Sequence, residues 1–278
     1  MSTPPSRYGD FHVHTIYSDG TATPEDMITA AIEAGLPSLG ISDHSPFPFE
    51  CGWVMKSSAV GAYTEEIKAL AAKYKDRINV FLSIEADILS TGLYNPDDYD
   101  YIIGAVHCLI KNGVRFDVDE AAEISNRAID ELYGGDPYAL TDDYFEAVSE
   151  VVDVTKCSIV AHFDLVAKFN ERSPRFDESS PRYLKAAKEA LRSLTAAGAL
   201  LEVNTGAVAR GFKTTFYPSS DLLKEWRRLG GEIILGSDAH GTKNIAFKFD
   251  DAAAYAKACG FKAVKTLSHD GFIDVPLV

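Results

Sequence analysis

The chain has 278 residues, 46% hydrophobic and 24% charged, the balance of a soluble globular protein with one large core. Its formal net charge of −14 argues against a surface that binds nucleic acid, which needs clustered lysine and arginine. The same charge disfavours an anionic ligand unless a local positive centre, such as bound metal ions, draws it in.

Short apolar runs alternate with amphipathic segments along the chain. Residues 8–13 read as a strand. Thr23 then caps a helix, with Pro24 at its first position and Glu25 and Asp26 at its positive end, and this helix stops near Gly35. A strand over residues 39–42 and a helix over 63–74 come next, separated by a loop with Pro46 and Pro48. Further strands are expected at 78–84, 101–106, 158–161, 200–203 and 232–235, and helices at 185–197, 221–229 and 252–259. Repeated β-α units imply a parallel sheet, closed or open. The stretch 108–155 reads as two helices, 120–133 and 141–155, around a Gly134-Gly135-Asp136-Pro137 turn. It is expected to be an elaborated connection over the site within a single domain spanning 1–278, because no linker divides the chain.

Cys51, Cys108, Cys157 and Cys259 are not spaced as a zinc knuckle or redox motif. The opening MSTPPSRYGD lacks the apolar core of a secretion signal, and no apolar run is long enough to span a membrane. A cytoplasmic protein with no membrane partner is expected.

Six of the seven histidines follow expected strands: His12, His14, His44, His107, His162 and His240. In a parallel β/α barrel the strand C-termini converge on one face, so these residues would meet in one pocket. Asp19, Glu85 and Asp238 share that placement. Residues two apart on a strand point to one side, so His12 and His14 can face the same ion. Neutral imidazoles with carboxylates suit zinc, iron or manganese. The purely structural reading would need six separately partnered buried imidazoles.

The segments Phe11-His12-Val13-His14-Thr15 with Asp19-Gly20, Ser42-Asp43-His44, Ile84-Glu85-Ala86-Asp87, Gly104-Ala105-Val106-His107, Ala161-His162-Phe163-Asp164 and Gly236-Ser237-Asp238-Ala239-His240 resemble the successive motifs of the polymerase and histidinol phosphatase (PHP) family. The layout is most similar to its stand-alone histidinol-phosphate phosphatases. The resemblance implies a distorted (β/α)7-type barrel with the metal site at the strand C-termini. It also implies three divalent ions. His12, His14, Glu85 and Asp238 would hold the first; Glu85 would bridge to a second held by His107 and His162; Asp19, His44 and His240 would hold the third. The implied activity is hydrolysis of a small phosphomonoester, L-histidinol phosphate, by a metal-bound hydroxide. The alternatives are a nucleotide or sugar phosphate as substrate, or a PHP module kept for metal binding alone.

Arg210, Lys213 and Lys168 are candidate phosphate-binding cations. Asp43 either supports His44 or turns away from the pocket, Phe47, Phe49 and Trp53 are candidate pocket walls, and His269 reads as a surface turn residue.

Overall fold

The computed structural model describes residues 6–277. Its elements run α1 (Pro24–Glu33), β1 (Ser38–Ile41), α2 (Val60–Tyr74), β2 (Asn79–Leu82), β3 (Glu85–Asp87), β4 (Ile103–Ala105), β5 (Cys108–Lys111), β6 (Val114–Asp117), α3 (Ala122–Leu132), α4 (Pro137–Thr155), β7 (Ile159–Val160), α5 (Pro181–Ala196), β8 (Leu200–Asn204), α6 (Gly206–Ala209), α7 (Ser220–Arg228), β9 (Glu232–Gly236), α8 (Phe249–Ala258), β10 (Ala263–Ser268) and β11 (Gly271–Pro276). Among the described residues no helix is long and apolar enough to cross a membrane.

Parallel pairing joins β1 to β2, and β3 through β4, β7 and β8 to β9. β2 and β3 are two halves of one bent run, and the parallel bridge His44↔Glu85 carries the β1 side across the bend. Residues 10–14 close the ring through the bridges Asp10↔Leu39 and Val13↔Ala239. Backbone bonds from Gly40 N to Asp10 O (2.8 Å) and His14 N to Ala239 O (2.9 Å) hold both seams. The result is a distorted seven-stranded β/α barrel. β10 lies parallel outside β9, and β11 returns antiparallel to it.

The first barrel segment is less regular than its sequence suggests. Residues 8–13 form isolated bridges rather than a continuous strand. The reason lies in polar side chains that take over ladder bonds. Asp10 Oδ1 accepts from His12 N (3.4 Å), and Ser42 Oγ accepts from Val13 N (3.1 Å). A second departure lies after His107, where an antiparallel hairpin of β5 and β6 precedes the two expected helices. Its turn is Asn112-Gly113 with φ of 53° and 78°, the left-handed pair that suits a two-residue hairpin.

Alternation sorts the strand side chains between inside and outside. On β8, Leu201 and Val203 pack outward under the helices, while Leu200 joins Phe11, Phe81, Tyr101, Ile103, Ile159 and others inside the ring. Each large apolar side chain buried this way contributes about 1.5–3 kcal/mol relative to exposure. Glu202 and Asn204 share the inward face of β8 with Leu200, but further along the strand. The barrel is therefore apolar in its middle and polar at its C-terminal mouth.

Candidate metal centre

The mouth collects all nine residues of the proposed ligand set, each delivered by the end of a barrel strand or the loop after it. Two of them, His162 (φ 23°) and Asp238 (φ 53°), have positive φ, a conformation costing non-glycine residues on the order of 1–3 kcal/mol. Specific bonds hold both in place. His162 N donates to Glu202 Oε2 (3.1 Å), and Arg210 donates to both the carbonyl (3.0 Å) and Oδ2 (2.8 Å) of Asp238. Gly236 makes room for this arrangement, because a Cβ there would overlap Glu202 Oε1.

The donors fall into overlapping sets, each close enough to hold an ion: His14, Asp19, His44 and His240; His12, His14 and Asp238; His12, Glu85 and His162; and His44, Glu85 and His107. The family resemblance implies three groups among them. In the first, Glu85 Oε2 lies 3.3 Å from His12 Nε2 and 3.5 Å from His14 Nε2, while Asp238 Oδ1 lies 3.8 and 3.4 Å from the same nitrogens. Ligands about 2.0–2.2 Å from a shared tetrahedral ion stand roughly 3.3–3.6 Å apart; His12, His14 and Asp238 lie close enough together to share one ion. In the second, the other oxygen of Glu85, Oε1, is 3.4 Å from His107 Nε2 and 3.0 Å from His162 Nε2. In the third, the Asp19 carboxylate is 3.7 Å from His44 Nε2 and 3.1 Å from His240 Nε2. His44 also places Nδ1 2.8 Å from Glu85 Oε2, so its ring sits between the third group and the first.

The chemistry of the donors fits divalent ions as well as their spacing does. His12 Nε2, both nitrogens of His14 and Glu85 Oε2 are buried and make no hydrogen bond within the described residues. A buried polar atom without a partner costs about 1–3 kcal/mol, and several such atoms aimed at common points call for cations. Burial, aided by neighbouring His240 and His44, lowers His14 to about 3, leaving its ring neutral with a lone pair available. Burial opposes the charged form of Glu85, but His12, His107 and His44 outweigh it and hold the carboxyl well below its usual range. At His107 burial is likewise outweighed, by Glu85 and Asp87, and the ring is raised to about 10. The acids thus demand positive charge, which an ion would supply in place of protons.

Further groups orient the donors from behind. Glu202 Oε1 is 2.7 Å from His12 Nδ1, turning Nε2 toward the centre. Asp87 Oδ2 accepts from His107 N (2.7 Å) and lies 3.3 Å from His107 Nδ1. His240 Nδ1 is 3.0 Å from the Asp238 carbonyl, the arrangement that frees Nε2. Asp43 turns away from the pocket: it accepts from the backbone and hydroxyl of both Thr15 and Ser18, bracing the loop that carries Asp19. Asp10 accepts from Ser237 N (3.1 Å) and Ala246 N (2.9 Å), tying the first segment to the end of β9. The sequence marks neither Glu202 nor Asp87 for this role. The available signal was a lone acid within an apolar run, Leu200-Leu201-Glu202-Val203.

A cavity of about 270 Å³ opens over the donors, walled by Trp53, Asp119, Glu120, Lys168, Arg210 and Phe212. Lys168 and Arg210 therefore stand where the sequence placed them, although Arg210 is also bound to Asp238. Lys213 is not on this wall. Its ammonium is buried 3.4 Å from the Ala167 carbonyl and 3.7 Å from Glu171. Trp53 packs edge-on against His44 (4.7 Å) and His107 (5.4 Å), whereas Phe47 and Phe49 line a separate surface groove. His269 lies at the β10–β11 turn beside Asn79, at the opposite end of the barrel strands.

Comparison with known proteins places this centre in a family. The PHP domain family matches residues 10–206, which contain seven of the nine donors. A protein named probable histidinol-phosphatase from Deinococcus radiodurans is 32% identical, over 92% of this chain and 95% of its own. The histidinol-phosphatase of Lactococcus lactis subsp. lactis is 26% identical, over 93% of this chain and 94% of its own. A crystal structure of histidinol phosphate phosphatase from Lactococcus lactis, in complex with zinc, L-histidinol and phosphate, shares the fold: TM-score 0.72, 24% identity, and coverage of 96% of this chain and 99% of that one. With the family's region spanning most of the barrel and a relative aligned along nearly the whole of both chains, this protein belongs to the PHP family.

Proposed function

We propose that this protein is a cytoplasmic, metal-dependent phosphomonoesterase that hydrolyses L-histidinol phosphate to L-histidinol and phosphate. The observation that carries the reading is Glu85, whose two oxygens face two separate sets of imidazoles. A carboxylate can bridge two ions, whereas a neutral imidazole offers a single lone pair. His12, His14, Glu85 and Asp238 would hold one divalent ion, Glu85, His107 and His162 a second, and Asp19, His44 and His240 a third. Zinc, iron and manganese all accept this donor set. When bound, such ions supply Lewis acidity and make water an effective nucleophile near neutral pH.

The chain's own groups then bind and orient the ester. Arg210 and Lys168 bring two cations to a cavity whose other charged walls are acidic, and they would contact phosphate oxygens. Trp53 and Phe212 supply apolar wall to the cavity. The substrate assignment draws support from the histidinol-phosphatase relatives, the first of them similar along nearly its full length.

Phosphate release from a panel of L-histidinol phosphate, nucleoside monophosphates and sugar phosphates tests the proposal. L-histidinol phosphate should give the highest kcat/KM. A clear preference for a nucleotide or sugar phosphate would replace the substrate, and no hydrolysis of any ester by metal-loaded protein would leave a metal-binding module.

A further inference from the structure

The cavity wall carries information about the alcohol half of the substrate, and the following rests on the phosphatase reading. The β5–β6 hairpin leaves the barrel immediately after His107 and comes straight back to it. Val118 N donates to the His107 carbonyl at 2.8 Å, stitching the end of the hairpin to the metal centre. The next residue, Asp119, therefore faces the cavity beside His107 and His162.

Asp119 is tied there by Lys168. Lys168 Nζ donates to its backbone carbonyl (2.6 Å) and to Oδ2 (3.1 Å). Lys168 in turn lies 5.4 Å from the Phe169 ring centre and 4.9 Å from that of Phe212. Among the described residues only Oδ2 of the carboxylate is engaged, so Oδ1 remains an acceptor. Asp119 and Glu120 are the two wall carboxylates outside the nine-residue donor set.

Lys168 and Arg210 on this wall suit the phosphoryl group, but the two carboxylates beside them have nothing to bind on a phosphomonoester of a neutral alcohol. They suit an ester whose alcohol carries a cationic nitrogen. Charge at the wall then discriminates between leaving groups, attracting one kind and repelling the other. We infer that Asp119 is the specificity-determining residue of the site, accepting an N–H bond from a protonated nitrogen on the alcohol portion of the substrate.

The test uses metal-loaded wild type, Asp119→Asn and Asp119→Glu, with metal content and Tm checked in each. Values of kcat/KM are measured on L-histidinol phosphate and on a matched pair, O-phosphoethanolamine and n-propyl phosphate. Wild type should favour the ammonium ester. Asp119→Asn should lose roughly ten- to a hundredfold on both nitrogen-bearing esters while holding or gaining on propyl phosphate, and Asp119→Glu should recover much of the loss. Equal losses on all three esters would reduce Asp119 to a support for Lys168 and overturn the inference. So would the absence of any wild-type preference between the matched esters, a measurement that needs no variant. If wild type prefers the ammonium ester in an Asp119-dependent way but ignores L-histidinol phosphate, the substrate proposal falls and this inference stands. If L-histidinol phosphate is hydrolysed equally by wild type and Asp119→Asn, the reverse holds.

Discussion

Glu85 is the residue on which the centre turns. Its carboxylate lies within 3.5 Å of nitrogens from His12, His14, His44, His107 and His162. Glu85→Gln keeps the shape but removes the charge and one potential ligand oxygen. Metal per chain should fall after dialysis, and turnover should drop by more than the roughly 10–100-fold typical of losing a group behind a ligand. Wild-type turnover in a folded, metal-loaded Glu85→Gln protein would show that Glu85 does not bridge. Arg210 has a double attachment, to Asp238 and to the cavity. Arg210→Ala should therefore weaken metal retention by roughly 10–100-fold as well as lowering kcat/KM. Arg210→Lys should recover little, since a lysine cannot reproduce the paired bonds to the Asp238 carbonyl and Oδ2. Elemental analysis of dialysed protein checks both; a large kcat/KM loss with unchanged metal affinity would leave Arg210 as a substrate contact only. The donors were legible in the sequence because histidines recurred at one kind of position, the end of an apolar run. Glu202, Asp87 and Asp119 were not, because a single acid near a strand looks the same whether it holds a histidine, faces a ligand or meets solvent.

At the scale of elements, the β5–β6 hairpin is where local reading and structure part most clearly. Asn112-Gly113 is a strong hairpin signal, but it lies within a stretch otherwise dominated by helical patterns, which mask it. The strands beside it are short and half exposed, so alternation carries little weight there. Helices α3 and α4 carry stronger local signals. α4 has Asp136 accepting from Tyr138 N at its start, Pro137 in its first turn, and a buried stripe from Leu140 through Tyr144, Val148 and Val151 to Thr155. The hairpin makes its own prediction. Gly113 sits at φ 78° with open space around it, so Gly113→Ala adds backbone strain of about 1–2 kcal/mol without a clash. Tm should fall by about 2–4 °C per kcal/mol for a domain of this size, measured by calorimetry. An unchanged Tm would mean that the hairpin is only weakly coupled to the folded barrel.

Across the whole molecule, β-α alternation was enough to indicate parallel strands with a site at their C-terminal ends. It did not distinguish a closed ring from an open sheet. Closure depends on contacts 29 and more than 200 residues apart, such as Asp10↔Leu39 and Val13↔Ala239, and these leave no local pattern. The same ring gathers donors from the beginning, middle and end of the chain around one cluster of buried acids and imidazoles. That cluster requires cations, and the reaction proposed here depends on them. The most direct measurement is to strip the purified protein with a chelator, return zinc, iron or manganese in steps, and follow bound metal per chain alongside phosphate release from L-histidinol phosphate. Stripped protein should show no turnover, and activity should rise with occupancy towards three ions per chain. Full activity in protein shown to be metal-free would contradict this dependence on metal.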